Sequence, residues 1–508
     1  MAHITGTITG LKAAFEKLRE VLKTNATLVA AIPAQNWTEL FYVEDNIDYV
    51  KTQNPITSRY YDLLEANYSS LRLFQIDGRY VTAPYPVPIS GFADSAFGAV
   101  VSGEIKWKMR AAKPITSLYI KGSGNNNPRY DSGAFVLQYS DDDAIWTTVY
   151  TGTTPNTLNG ETTYTGWVAT GSHLFWRLTG AYTALSSIIG YNGTTIVTSS
   201  SSQSILRGPG IAGSDNIYIG FRTLRDDLRD LNLLQVFGLT GYNPATLLMC
   251  NQPGATGISV SALDSGCPSL TLSDKQMPYW ITVSGRRIIF AFKVGTQYEA
   301  GYAGFFLPYT DPVNYPYPML IGGSMDMDKD LGLLKPSARH SGHSVFCIPG
   351  ATKEMKDSRL GGLKVLGYNG LWASLANLYK RSSTGGGPGE TFLANGVPVN
   401  SDDTPYSYVY PRKPVFYSDV LGEGYDYPNF SMAKTGSDQY LLHPHELVIN
   451  GVTLSGEKEL VGVIDGTCFV SGDNNLSENI ITFGGKSWVV FQNVFRTGLM
   501  DYFAMVRE

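Results

Sequence analysis

Four short stretches of this chain carry residue types that could do chemistry. His443-Pro444-His445-Glu446 gathers two imidazoles and a carboxylate within four residues, a donor set that zinc could use. Zinc peptidases present such groups one helical turn apart, and Pro444 prevents that presentation, so metal binding is not expected there. His340 and His343 beside Arg339 would share a face on a helix. With no acidic or Cys partner in the window, they read as a surface or core pair. Asp326, Asp328 and Asp330 alternate as an EF-hand loop begins, but Leu331 stands where the loop needs Gly and Ser337 where it needs a bidentate Glu. That calcium loop is excluded, and an irregular site built with backbone carbonyls stays open. The Asp141 to Asp143 run reads as a solvated turn whose short carboxylates cap their own backbone, with calcium as the alternative.

Signatures of catalysis are missing. The chain has no G-x-S-x-G, and Gly385 to Gly389 lacks the Lys-Ser/Thr that would reach phosphates and magnesium, so that tract reads as a flexible loop. Paired carboxylates for glycoside hydrolysis leave no trace in sequence, because they need only lie about 5–10 Å apart in space. No cofactor and no enzymatic activity are expected. The most unusual local feature is aromatic and Pro-rich, running from Gly304 to Pro318 with Phe305, Phe306, Tyr309, Tyr315 and Tyr317 between prolines 308, 312, 316 and 318. Rigid aromatics give large contact area at little entropic cost. A subunit interface is the leading reading, with a sugar-stacking platform and simple intrachain packing as alternatives.

The elements that would hold these residues are mostly strands. Ile105, Trp107 and Met109 alternate with Lys106, Lys108 and Arg110, a half-buried period of two. Leu118 and Ile120, Phe135 to Tyr139, Trp146 to Tyr150, and Leu174 to Leu178 continue it. Further runs follow at Ile217 to Thr223, Leu233 to Leu239, Trp280 to Val283, Arg287 to Val294, Leu447 to Ile449 and Trp488 to Phe495. One amphipathic helix precedes them: Leu11, Ala14, Phe15, Leu18, Val21 and Leu22 recur at three and four residues, with a stop at Thr24-Asn25. Its stripe, and in particular Leu11, Phe15, Leu18 and Leu22, either packs on its own domain or docks on another subunit. A weaker helical pattern spans Ser58 to Tyr68. Three alternate prolines in Ala83 to Pro88 mark a boundary or an edge segment, and the Ser/Thr/Gly tract from Ser199 to Gly210 marks a linker. The expected organisation is a docking segment over residues 1–90, a β domain over 91–205 and a β-rich domain over 206–508. Between about 350 and 440 the chain is irregular and rich in Gly, Pro, Ser and Tyr, including Ser382 to Gly389.

Composition agrees and narrows the class. With 54 Gly, 26 Pro and only 16% charged residues among 508, the chain is turn-rich and charge-poor against an average of about 25% charged. A net charge of −5 and 43% hydrophobic residues exclude an acidic disordered chain and a basic nucleic-acid binder. No apolar run reaches the roughly 18 residues of a membrane span. The first apolar stretch is broken by Lys12, Glu16, Lys17, Arg19 and Glu20, which an export signal would not tolerate. Cys250, Cys267, Cys347 and Cys468 are too scattered for a zinc ribbon or a disulfide scaffold and read as buried thiols, as in a reducing cytosol.

Two resemblances follow. Residues Ile105 to Leu178, through Ile115-Thr116-Ser117-Leu118-Tyr119-Ile120, Phe135 to Tyr139, Ser140-Asp141-Asp142, Trp146 to Tyr150 and Trp176-Arg177-Leu178, resemble the discoidin-like, galactose-binding type of β-jelly roll. The C-terminal part is similar to tail-associated virion proteins of tailed bacteriophages. That likeness lies in Asn216 to Thr223, Phe237 to Tyr242, Met277 to Trp280 with Gly285-Arg286-Arg287, Tyr298 to Ser324 and Val490 to Tyr502. It implies a structural component of a phage tail or baseplate, assembled in the host cytoplasm. Its partners would be other virion proteins and further copies of itself, and Leu11, Phe15, Leu18, Leu22, Phe305, Phe306, Tyr309, Tyr315 and Tyr317 would form its interfaces. The alternative is a receptor-binding or glycan-degrading tail protein that meets a host surface glycan. Neither reading calls for nucleic acid or membrane insertion.

Overall fold

A computed structural model describes residues 1–53, 60–62, 74–76, 79–81, 102–122, 134–153, 161–167, 171–181, 185–197, 201–211, 213, 215–226, 231–245, 249, 252–255, 268–323, 346, 363–368, 370, 372–375, 408–412, 439–450, 458–472, 474–492 and 502–507. These are mainly strands, with one long helix near the N-terminus. The Asp326 to Asp330 run, His340, His343, Cys250, Cys267, Cys347, the Ala83 to Pro88 segment and the Ser382 to Gly389 loop lie outside the described residues. So does the weak helical pattern at 58–68, apart from Tyr60–Asp62, which is a strand.

A β-sandwich forms around the period-two runs. Strands Thr147–Thr153, Ala134–Ser140, His173–Ala181, Ser102–Lys113, Ile47–Gln53 and Tyr60–Asp62 make one sheet in that order. Glu161–Tyr164, Ser117–Gly122, Leu185–Asn192 and Thr195–Ile196 make the other. Every pairing in the two sheets is antiparallel. The inward positions of the alternation, Ile105, Trp107, Met109, Leu118, Ile120, Phe135, Leu137, Trp176 and Leu178, fuse into one core between the sheets. This is the discoidin-like jelly-roll architecture expected of Ile105 to Leu178.

Apart from a separate two-stranded ribbon, Phe74–Ile76 with Arg79–Val81, the remaining described strands build a second assembly that begins at the N-terminus. Strand β1 (Ala2–Thr9) pairs antiparallel along its whole length with Gln276–Ser284. Gly10, at φ +86°, then turns the chain into helix α1 (Gly10–Thr24), a backbone conformation that costs a side-chain-bearing residue dearly. Beyond a short second helix, β2 (Thr38–Val43) pairs with Gln203–Gly208, which extends a sheet through Ile217–Asp226 and Leu231–Leu239 to Ser269–Leu272. The expected boundaries at 90 and 205 therefore fall elsewhere. Residues 1–43 belong to the C-terminal assembly, residues 47–53 and 60–62 to the sandwich, and the tract read as a linker contains the strand Gln203–Gly208.

Strand Arg287–Val294 explains how this assembly is layered. Its near-continuous apolar run suits burial on both faces. Ile288, Phe290 and Phe292 enter a core shared with α1 and the sheet of β2, while Ile289 and Ala291 enter a second core with Val461, Ile464, Val489, Phe491, Phe503 and Met505. Arg287–Val294 belongs to a long sheet of 14 strands that runs from β1 to Ile480–Phe483, and this sheet curls to enclose the second core, because Leu307–Pro308 pairs with Gly462 and Val463 of strand Lys458–Phe469. Asp465 bolts the curl: one carboxylate oxygen accepts from Arg286 Nε at 2.8 Å and from Arg287 Nε at 2.6 Å. Gly466, at φ +78°, lies so close to the Arg287 guanidinium that a Cβ would collide with it.

The stripe of α1 faces this interior. Leu11, Phe15, Leu18 and Leu22 are all buried in the protein's own core. The docking expectation for these four residues is corrected accordingly: the five-stranded sheet and strand Gln276–Ser284 occupy the face a partner would need. The polar side of the helix is pinned as well. Glu39 on β2 accepts two bonds from Arg19, at 2.6 and 2.9 Å, one from Lys23 at 2.6 Å and one from the Ser204 hydroxyl at 2.8 Å. Burial alone would raise the Glu39 carboxyl, but the bonds from Arg19, Lys23 and Ser204 outweigh it and hold the group below its ordinary range.

Candidate functional site

One loop gathers charged and aromatic side chains on the rim of the sandwich. It joins Ala134–Ser140 to Thr147–Thr153 and contains the Asp141 to Asp143 run. Asp142 is spent on the turn itself. Its carboxylate accepts from the backbone N–H groups of Ala144 and Ile145 and from the Ser140 hydroxyl, each at 2.9 Å. Those donors, Ile145 and Ala144 foremost, hold the Asp142 carboxyl below its ordinary range. The capped turn places Asp143 at φ +61°, a conformation that Asp tolerates better than most residues.

The two flanking carboxylates then reach neighbouring strands. Asp143 takes both oxygens to Lys106 Nζ, at 2.8 and 2.9 Å. Asp141 pairs with His173 Nδ1 at 2.9 Å. The imidazole of His173 stacks on Tyr139 with ring centres 3.5 Å apart and meets Trp176 edge-on at 5.9 Å. The run is thus a capped turn with a separate partner for each carboxylate, as in the turn reading of the sequence. Among the described residues no group of three or more His, Cys, Asp or Glu is arranged to hold a metal ion.

At the end of the same loop the half-buried Trp146 lies under the guanidinium of Arg177, whose central carbon sits 4.2 Å from a ring centre. Such a stack is stabilised by the attraction of a cation to the ring face. Arg177 also donates to Gln138 Oε1 at 2.8 Å and to Glu104 Oε2 at 2.7 Å, and Gln138 donates on to Thr148 at 3.1 Å. Lys106, Gln138 and Arg177 all occupy positions between the core-facing residues of their strands, so the group sits on the outer face of the six-stranded sheet. A planar guanidinium, an amide, an ammonium, two carboxylates and an indole therefore lie together, fixed by one another. Such side chains can hydrogen-bond a polar ligand and pack against its ring faces. Their mutual bonds lock the rotamers before any ligand arrives, which reduces the entropy lost on binding.

The stretches singled out in the sequence are placed elsewhere. Phe305 and Phe306 are fully buried, Tyr315 is buried, and Tyr317 is half-buried with its hydroxyl donating to Leu239 O at 2.8 Å. The Tyr315 hydroxyl bonds the carbonyl of Leu366. These four therefore pack within the chain, and the interface expectation is corrected for them: the protein's own two cores take up their side chains. Only Tyr309 of the five is exposed, at 54%. His443 and His445 lie on strand His443–Asn450, not on a helix, and Glu446 bonds the Tyr309 hydroxyl at 3.1 Å.

His445 is buried beside Thr467, and burial pushes its imidazole down to about 3; burial, helped by the charge of Arg507, takes His3 to about 4. Both are held neutral in the fold, whereas an unfolded His titrates near 6.5. Stability is therefore complete above about pH 6.5 and falls as acid is added, by about 1.4 kcal/mol per pH unit for fully buried His445. Urea unfolding midpoints at neutral and mildly acidic pH are expected to separate, and His445→Met to narrow the gap.

No family model matches the sequence, and no curated protein matches it. Among solved structures, the chain shows likeness to the CBM32 of AlyQ in complex with 4,5-unsaturated mannuronic acid, at 21% identity over 19% of this chain and 76% of that one, with a TM-score of 0.16. The C-terminal domain of a chitobiase from Bacteroides fragilis is 15% identical over 32% of this chain and 95% of its own, with a TM-score of 0.16. Truncated AlyQ with CBM32 and alginate lyase domains is 11% identical over 52% and 80%, with a TM-score of 0.19. At these values the likenesses carry no argument about ligand or activity.

Proposed function

We propose that the sandwich binds a carbohydrate on the face that carries Trp146 and Arg177, and that it does so without turning the carbohydrate over. One observation carries the reading: an indole and a guanidinium stacked at 4.2 Å beside the donors and acceptors of Glu104, Gln138, Lys106 and Asp143. Sugars present hydroxyl pairs that suit fork-shaped donors and carboxylates, and C–H faces that suit an indole. Screening the intact protein against a panel of immobilised oligosaccharides tests this. Trp146→Ala and Arg177→Gln are each expected to weaken the best ligand at least about tenfold, a loss of about 1.4 kcal/mol, with unchanged circular dichroism. A panel that finds no ligand, or a ligand indifferent to both substitutions, would sink the proposal.

For its setting we propose the tail or baseplate of a tailed bacteriophage, where such a binder would meet host surface glycans. The support for that is the sequence resemblance of residues 216–508.

A further inference from the structure

The long sheet ends on strand Ile480–Phe483, whose neighbour among the described residues is Lys486–Gln492. A two-residue turn at Gly484 and Gly485 joins them, and such a turn is closed by a hydrogen-bonded pair, here Phe483 with Lys486. Ladder bonds alternate, so Ile481 bonds inward with Trp488, while Ile480 and Thr482 turn their N–H and C=O groups to the open edge. Natural sheet edges are commonly guarded by Lys, Pro, a bulge or an inward charge. This one reads Ile-Ile-Thr-Phe, pairs without a bulge, and leaves Ile480 59% and Phe483 38% exposed, with Leu476 71% exposed beside it. The opposite end of the same sheet, β1, exposes Thr5, Gly6, Thr7 and Thr9 instead.

We propose that Ile480–Phe483 pairs antiparallel with the same strand of a second copy, so that one sheet runs through a twofold dimer. A twofold contact demands a self-complementary patch, and this strand is one. Centring the pair on Ile481 sets Ile480 of each chain opposite Thr482 of the other, so that all their outward N–H and C=O groups are satisfied.

Sedimentation velocity of the full chain over about a hundredfold concentration range is expected to show a monomer–dimer equilibrium. Thr482→Pro removes an outward N–H and leaves the inward bonds of Ile481 and Phe483 intact, as edge positions permit. Ile480→Lys adds the guard that the edge lacks. Each is expected to weaken dimerisation at least about tenfold, and Ile480→Lys decides the matter if the proline variant melts early. A wild-type chain that stays monomeric, a dimer that survives both substitutions, or assembly past the dimer through β1 would overturn the proposal.

Discussion

Replacing Asp465 by Ala is expected to cost the C-terminal assembly about 3–5 kcal/mol, the usual penalty for leaving a buried charge without its partner. Two guanidiniums lose their acceptor at once, since Arg286 and Arg287 both bond the same carboxylate oxygen. Arg287 is almost wholly buried, at 3% exposure. Burial alone would raise the Asp465 carboxyl, but the charges of Arg287 and Arg286 outweigh it and hold the group below its ordinary range. A carboxyl lowered by folding stabilises the fold above its unfolded value near 4, and the contribution disappears as pH falls through the folded value. The deficit of Asp465→Ala is therefore expected at neutral pH and should shrink in strong acid. Urea unfolding followed by tryptophan fluorescence reads both. Equal deficits at neutral and strongly acidic pH would show that the bolt stabilises by packing rather than by charge.

The second large effect concerns α1. Phe15→Ala is expected to destabilise the chain by about 3–5 kcal/mol, because a fully buried ring leaves a cavity that close-packed neighbours cannot refill. Removing residues 1–30 should do worse. It would strip β1 from Gln276–Ser284 and expose Phe221, Leu234, Ile281 and Phe290, which share a core with the helix. The truncated chain is expected in the insoluble fraction. Recovery of a soluble, folded product would mean that the helix is dispensable to the core and free to serve a partner.

Alternation made the sandwich legible. Ile105, Trp107 and Met109 faced inward as their spacing said, because a strand offers only two faces and one was plainly apolar. The helix was equally clear from its repeat, but its covering was not, since an apolar stripe looks the same whether the chain or a neighbour buries it. Phe305, Phe306 and Tyr315 misled for a related reason: aromatics between prolines describe a stiff segment, and stiffness does not reveal which surface closes over it. Strands β1 and Gln203–Gly208 went unread because they carry few large apolar residues and were fixed by partners remote in sequence. Of the candidate site, the Asp141 to Asp143 turn and Trp146 were visible as a local cluster. Glu104 and Lys106 arrive from one strand and His173 and Arg177 from another, and nothing in their local sequence distinguishes them from ordinary strand residues.

The pairing of β1 with Gln276–Ser284 also sets a timetable for biosynthesis. At roughly 5–20 residues per second, a ribosome needs tens of seconds to produce the strand that the first residues are waiting for. Throughout that interval the stripe of Leu11, Phe15, Leu18 and Leu22 has emerged without its cover. Nascent chains of this protein should therefore bind holdase chaperones early and be released only after the strands around residue 290 have left the exit tunnel.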